Sequence, residues 1–430
     1  MKKVNEVLEE KLLPIAAKLG NNKILIAIRD GITLSMPLII IGSLFLVIAS
    51  FPIEAWTNWL TEIGIDGYLW KGVDSSFGLM GLIASFGIAN SLARQYNVDG
   101  VSAGIISLSS FIVVTPFGEG GIPVGFMGSK GLFVAMVLGI ISALIFQWFI
   151  NHNIQIKLPD AVPPAVARSF SALIPGAVII TLWLVVFAIL DMTGIGNIHE
   201  LLLKVLGGPL GLLGNNIFGT VISILLNSAF WFVGIHGGNV VNSILKPIWL
   251  MNSDANRLIF QADKFAELPH IITEPFIDNF VYMGGGGATI GLVIVIAIMA
   301  RRKKASQITK TMAPLTLTPG LFNINEPAMF GLPVVMNISL LIPFILAPVA
   351  NAIICYFAMS TGLVAKTTGI AVSWTMPPII SGFLTTGGHI SGAILQIVCI
   401  IVDIAIYWGF YRTVEKQNLE LEAAESDITV

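Results

Sequence analysis

What most constrains this chain is a series of long stretches with almost no charge. They lie near 31–51, 73–93, 131–150, 172–191, 216–235, 284–300, 333–358 and 392–411, with a shorter one at 100–115. About 20 apolar residues in a row cross a bilayer as a helix, because inside the hydrocarbon a segment must satisfy its own backbone polar groups. Composition agrees: charged residues are 11% of the 430 and AVILMFWYC 55%, with a mean hydropathy of +0.86, whereas soluble domains carry about 25% charge. The chain is read as an all-α polytopic membrane protein. Its net charge of −2 singles out no partner, and no nucleic acid is expected. Cys355 and Cys399 both fall inside apolar stretches without metal-ligand spacing, so they are read as packing residues, with no metal, cofactor or disulfide framework.

Basic loops set orientation, since cytoplasmic loops hold the excess of lysine and arginine. Residues 1–30 carry Lys2, Lys3, Lys11, Lys18, Lys23 and Arg29 ahead of a full-length first span without a small-residue cleavage site. They are expected to be retained on the cytoplasmic side. Within them Val4, Val7, Leu8, Leu12, Ile15 and Leu19 recur at helical spacing, which fits an amphipathic surface helix or a solvated leader. Arg94, the loop with Lys157 and Arg168, the block 301–304 and the tail 413–430, entered after Arg412 and carrying Lys416, also read as cytoplasmic. Both termini are thus placed inside. The count works through the sixth span and then fails: 237–283 must reach the opposite side, yet it has no continuous apolar run.

That failure divides the chain. Residues 31–215 hold conventional spans and are read as a scaffold domain, the part to which the homodimer implied by the resemblance given below is assigned. Residues 216–412 are interrupted by "GIHGGN" (234–239), "TEPFIDNFVYMGGGG" (273–287), "NINEPAMFG" (323–331), "WTMPP" (374–378) and "TTGGH" (385–389). Glycine and proline breaking short apolar segments mark discontinuous helices that build a transport site, so this part is read as the substrate domain.

Two breaks carry an ionisable group beside amides: His236 before Asn239, and Glu326 between Asn323, Asn325 and Pro327. An ionisable residue at membrane depth points to function by default. The plainer reading of His236 is a core histidine tying a helix end to a carbonyl. For Glu326 it is an anchor that accepts backbone N–H bonds where Pro327 opens a helix, which is compatible with binding a substrate hydroxyl. Glu274 and Asp278 are most simply a first-turn acid pair after a cap, and His270 and His389 fall at segment ends. Trp231 and Trp374 flank the strongest breaks, either as interface-belt residues or as flat faces for sugar rings.

Five segments, "RDGITLSMPLIIIGSLFLVI" (29–48), "SFSALIPG" (169–176), "FWFVGIHGGN" (230–239), "PFIDNFVYMGGGGATI" (275–290) and "INEPAMFGLPVVMN" (324–337), resemble the membrane component, enzyme IIC, of the lactose/cellobiose/diacetylchitobiose class of phosphotransferase-system sugar transporters. The resemblance covers essentially the whole chain. It implies a bacterial cell-membrane permease: a homodimer in lipid, with about ten transmembrane helices, two re-entrant hairpins and amphipathic surface helices. It also implies that His236 and Glu326 sit at the sugar C6 hydroxyl that becomes phosphorylated, acting as the catalytic pair. Asn239 and Asn325 would then add substrate bonds, and Trp231 and Trp374 would stack the rings.

In such a system the phosphoryl group comes from a phosphocysteine on enzyme IIB, and neither cysteine here lies in an exposed loop before a helix. A separate phosphorylated IIB is therefore expected as partner. The chain ends in "EKQNLELEAAESDITV" rather than in a fused domain, which favours cellobiose or N,N'-diacetylchitobiose over lactose as the disaccharide. The alternative is a proton-coupled secondary disaccharide transporter that releases unmodified sugar.

Overall fold

The computed structural model describes residues 13–51, 53–118, 121–159, 161–194, 196–332 and 337–428. Of the amphipathic leader, Val4, Val7, Leu8 and Leu12 lie outside the described residues, and Leu13–Gly20 is a helix. Among the described residues every regular element is a helix.

The first half runs α1 (Lys23–Thr33), α2 (Met36–Ala49), α3 (Asp66–Phe77), α4 (Met80–Gln95), α5 (Gly100–Val113), α6 (Leu132–Asn151), α7 (Pro164–Ser171) and α8 (Leu173–Thr193). Local chemistry explains the starts. Asn22 accepts from the N–H groups of Ile24 and Leu25 to cap α1, and Asp99 caps α5 through Ser102. Each satisfies amides that the helix itself leaves unpaired. Helices α1, α4, α5 and α6 pack side by side around a core that includes Ile32, Ile88, Leu92, Phe111, Phe133 and Phe146. Gly31 is required there: a Cβ would lie 2.3 Å from the Ile88 amide nitrogen, so α1 and α4 meet backbone to backbone.

The second half runs α9 (Ile217–Phe232), α10 (Gly237–Ala262), α11 (Ile290–Ala300), α12 (Gln307–Leu321), α13 (Glu326–Gly331), α14 (Ile338–Ser360), α15 (Ile380–Thr385) and α16 (Ile390–Ile428). Its apolar residues form two further clusters, one around Phe276, Phe280 and Cys355 and another around Leu292, Phe344, Tyr407 and Tyr411, while Ile248, Leu250, Phe260, Leu268, Ile370 and Ala371 join the core of the first half.

Six helical stretches among the described residues are long and apolar enough to cross a membrane: Lys23–Ala49, Asp66–Gln95, Ser129–Asn151, Pro164–Thr193, Ser339–Ser360 and Ile390–Ala424. Three of the apolar runs take other forms. The run at 216–235 is the second limb of a pair, Ile198–Gly214 and Ile217–Phe232, bent by 80°. The run at 100–115 is the short α5, and the run at 284–300 is helical only from Ile290. The reason for that late start is local: Gly284, Gly285 and Gly287 have φ of 81°, 99° and 81°, and Ala288 follows at 51°. No helix continues through left-handed backbone.

The unassigned stretch 237–283 contains α10, of 26 residues, a length of about 39 Å at 1.5 Å per residue and enough for the hydrocarbon core. Hydropathy misses it because it carries Asn252, Asp254, Asn256 and Arg257, all buried in protein. Asp254 pairs with Arg257 at 2.8 Å and accepts from the Ser129 hydroxyl at 2.6 Å. A buried polar residue needs a protein partner, and here it has one.

Candidate functional site

Four breaks of the second half meet. Their frame is built by two asparagines and a glycine run. Asn323, itself in left-handed backbone at φ 61°, accepts from the Gly284 N–H at 2.7 Å. Its amide donates to the carbonyls of Trp374 at 2.6 Å and Met376 at 3.0 Å. Asn325 donates to the Gly286 carbonyl at 2.9 Å, and the Tyr407 hydroxyl donates to the Gly287 carbonyl at 2.7 Å. The loop at 284–287, the turn at 323–326 and the segment at 374–376 are therefore tied together. Glycine is needed at 286 because a Cβ would come within 2.8 Å of Trp231 Nε1, which joins the end of α9 to the same frame.

His236 stands at the N-terminus of α10, where its Nδ1 accepts from the Asn239 N–H at 3.3 Å. Accepting there requires an unprotonated Nδ1, so the neutral ring carries its proton on Nε2 and presents a donor. The ring packs at 4.5 Å and 48° against Trp231, and the residue is exposed, as is Asn239. The plainer reading tied this histidine to a helix end through a carbonyl. The structure ties it through a backbone N–H instead, and leaves the other nitrogen open.

Glu326 opens α13, followed by Pro327. It is exposed, so this carboxylate is not enclosed in an apolar pocket. Nor does it serve as an anchor: among the described residues no backbone N–H donates to its carboxylate, and the first turn of α13 is held by the Asn325 carbonyl. A carboxylate without protein donors is open to a ligand. Glu326 and Arg29 both lie within Coulombic reach of His236.

The other expected residues separate into two groups. Trp374 is 55% exposed and Trp231 only 3%; the first offers a free indole face, while the second is covered and backs His236. Asn325 is 4% exposed, with its amide committed to Gly286, so it holds the frame. Asn323, which sequence reasoning left as a mere neighbour of Glu326, is the most connected residue of the frame. Its signal was the "NIN" spacing, which supplies two amides to a turn that has lost helical bonds.

Glu274 is more than a first-turn acid. It pairs at 3.0 Å with Lys246 of α10, and both are largely buried. The lysine within the apolar "SILKPIWL" was the missed signal, because a buried ammonium demands a carboxylate. His270 has its backbone groups bound by Asn256, and His389 is exposed. Cys355 and Cys399 are buried with their sulfurs 3.5 Å apart. Among the described residues no group of three or more His, Cys, Asp or Glu could hold a metal ion.

Residues 29–348 match the family described as phosphotransferase system, EIIC. The lichenan permease IIC component of Bacillus subtilis (strain 168) is 45% identical over 98% of this chain and 96% of its own. The cellobiose-specific EIIC component of Geobacillus stearothermophilus is 45% identical over 98% and 97%. The crystal structure of the transporter ChbC, the IIC component from the N,N'-diacetylchitobiose-specific phosphotransferase system, superposes with a TM-score of 0.91 at 42% identity, covering 97% of this chain and 99% of that one. With a family match across most of its length and full-length relatives of this identity, the chain belongs to the EIIC membrane components of the phosphotransferase system.

Proposed function

We propose that this permease moves a β-linked disaccharide, cellobiose or N,N'-diacetylchitobiose, inward and presents its C6 hydroxyl to phosphorylated IIB. Relatives named for cellobiose and N,N'-diacetylchitobiose support the substrate class. What supports the reading is that an open donor and an open acceptor, His236 Nε2–H and the Glu326 carboxylate, lie within electrostatic reach of each other although they come from breaks far apart in sequence, with Trp231 behind the first and the Asn325 bond to Gly286 behind the second.

In this mechanism Glu326 accepts the bond from the C6 hydroxyl. That oxygen attacks the phosphorus of the IIB phosphocysteine, an O–P bond forms as the S–P bond breaks, the thiolate leaves, and the proton passes to Glu326. Positioning and charge management supply most of the acceleration. The sugar itself displaces water from the exposed carboxylate when it binds. His236 donates to a neighbouring oxygen of the same sugar, Asn239 adds a bond, and Trp374 stacks a ring. Trp231 and Asn325 act as positioning residues.

In this reading residues 31–215 form the scaffold through which two copies pair and 216–412 the substrate domain, with both termini cytoplasmic. The two cysteines, buried against each other, cannot carry the phosphoryl group, so IIB is the donor. Reconstituted protein with phospho-IIB should yield phosphorylated disaccharide from a panel of β-linked sugars. Uptake of unmodified sugar, driven by pH and independent of phosphoenolpyruvate, would establish the proton-coupled reading instead.

A further inference from the structure

Away from the sugar site, the scaffold half holds an open cavity of about 580 Å³ between the end of α4, the start of α5 and the short helix α7. Two arginines line it, Arg94 from α4 and Arg168 from α7, with the polar side chains of Asn90 and Ser169 between them. Among the described residues neither guanidinium has a hydrogen bond or ion pair with a protein group. Asp99 also lines the cavity, but its carboxylate is engaged by the N–H and hydroxyl of Ser102 as the cap of α5. Among the described residues that line the cavity, two positive charges thus face one negative charge that is already bonded.

One wall is apolar. Val101 and Ile105 line it from α5 and are mostly exposed, and beyond the lining Val166, Phe170 and Leu173 on α7 and at the start of α8 are exposed too. Helix α7 has no buried residue, as expected for a helix lying at an interface.

We infer that this cavity binds an anionic phospholipid of the inner leaflet, its headgroup phosphate between Arg94 and Arg168 and an acyl chain along Val101 and Ile105. A guanidinium matches two phosphate oxygens at once, and basic pockets beside spans on the cytoplasmic side suit acidic headgroups. The apolar wall selects a lipid over a free anion. The leaflet assignment rests on the cytoplasmic placement of these loops proposed above, but binding in micelles does not. A failed lipid test therefore leaves the topology intact, and a failed topology test leaves the lipid intact.

The test is native mass spectrometry of the full-length protein in detergent, titrated with phosphatidylglycerol or phosphatidylcholine. The inference expects phosphatidylglycerol adducts, few with phosphatidylcholine, and a loss of at least about fivefold in occupancy for R94Q/R168Q, with a smaller loss for R94K/R168K, which keeps charge but not the fork. Ile105→Asn, with both arginines intact, should also weaken binding, which covers a double variant that fails to fold. Sugar affinity should not change in any of them. Equal occupancy in wild type and R94Q/R168Q would overturn the inference. So would thermal stabilisation by inorganic phosphate equal to that by the lipid, or a loss of IIB or subunit pairing at unchanged lipid occupancy.

Discussion

The two halves solve the same problem, a helical chain in lipid, in opposite ways. In the first half most backbone groups are satisfied inside helices, caps such as Asn22 and Asp99 take up free helix ends, and Gly31 against Ile88 is an approach that any small-residue crossing could make. In the second half the backbone leaves helical geometry at 284–288 and at 323, and the freed groups are taken up by Asn323, Asn325, Thr289 and Tyr407. The lesson is that a polar site at membrane depth needs two layers. The inner layer of asparagines and glycines meets the needs of the broken backbone. Only then can His236, Asn239, Glu326 and Trp374 stay open to a ligand.

The sharpest way to break this comparison is Glu326→Gln. If the outer layer does the chemistry, phosphoryl transfer should fall by about 100-fold or more, the scale of general-base catalysis, while affinity measured by calorimetry changes little. Unchanged turnover with intact binding would reduce Glu326 to a spectator.

Next comes Asn323→Ala, which strikes the inner layer. It removes three hydrogen bonds and strands the Gly284 N–H and two carbonyls, so a loss of about 2–3 kcal/mol in stability is expected. Sugar affinity should drop with it, although Asn323 itself is not assigned to the ligand. A thermal midpoint and an affinity that both stay at wild-type values would show that the loops are held by something else.

His236→Ala should weaken disaccharide binding by about 1–2 kcal/mol, the order of one buried hydrogen bond, and reduce transfer, with a modest fall in melting from the lost cap. A variant that melts early yet binds and transfers normally per folded molecule would move His236 from the outer layer to the inner one.

The smallest effect on sugar is expected from Gly31→Ala. Its Cβ would collide with the Ile88 backbone, an overpacking that costs about 1–3 kcal/mol of stability, while affinity per folded molecule stays the same. A selective loss of affinity would show that the scaffold half, whose core is shared with Ile248 and Phe260 of the second half, communicates with the site.

The legibility of the chain follows the same division. The spans at 131–150, 172–191 and 392–411 were readable because lipid-facing and buried faces are both apolar, so hydropathy alone records them. Helix α10 was not readable that way, since Asp254, Asn256 and Arg257 satisfy one another and neighbouring backbone inside protein. For the site, His236 and Glu326 stood out as ionisable groups in apolar surroundings. The roles of Trp231, Asn323 and Asn325 did not, because whether an indole or an amide faces a ligand or a neighbour depends on what folds against it.

The sequence by itself determined the solvent of this protein and the places where its helices must break. Solvent is recorded by composition, and breaks by the conformational preferences of glycine and proline, both properties of residues taken one at a time. Which breaks meet, which side chains are spent on freed backbone and which remain open were decided only by the tertiary structure. Those outcomes depend on hydrogen bonds between residues such as Asn323 and Trp374, 51 positions apart, and no local pattern encodes such a distance.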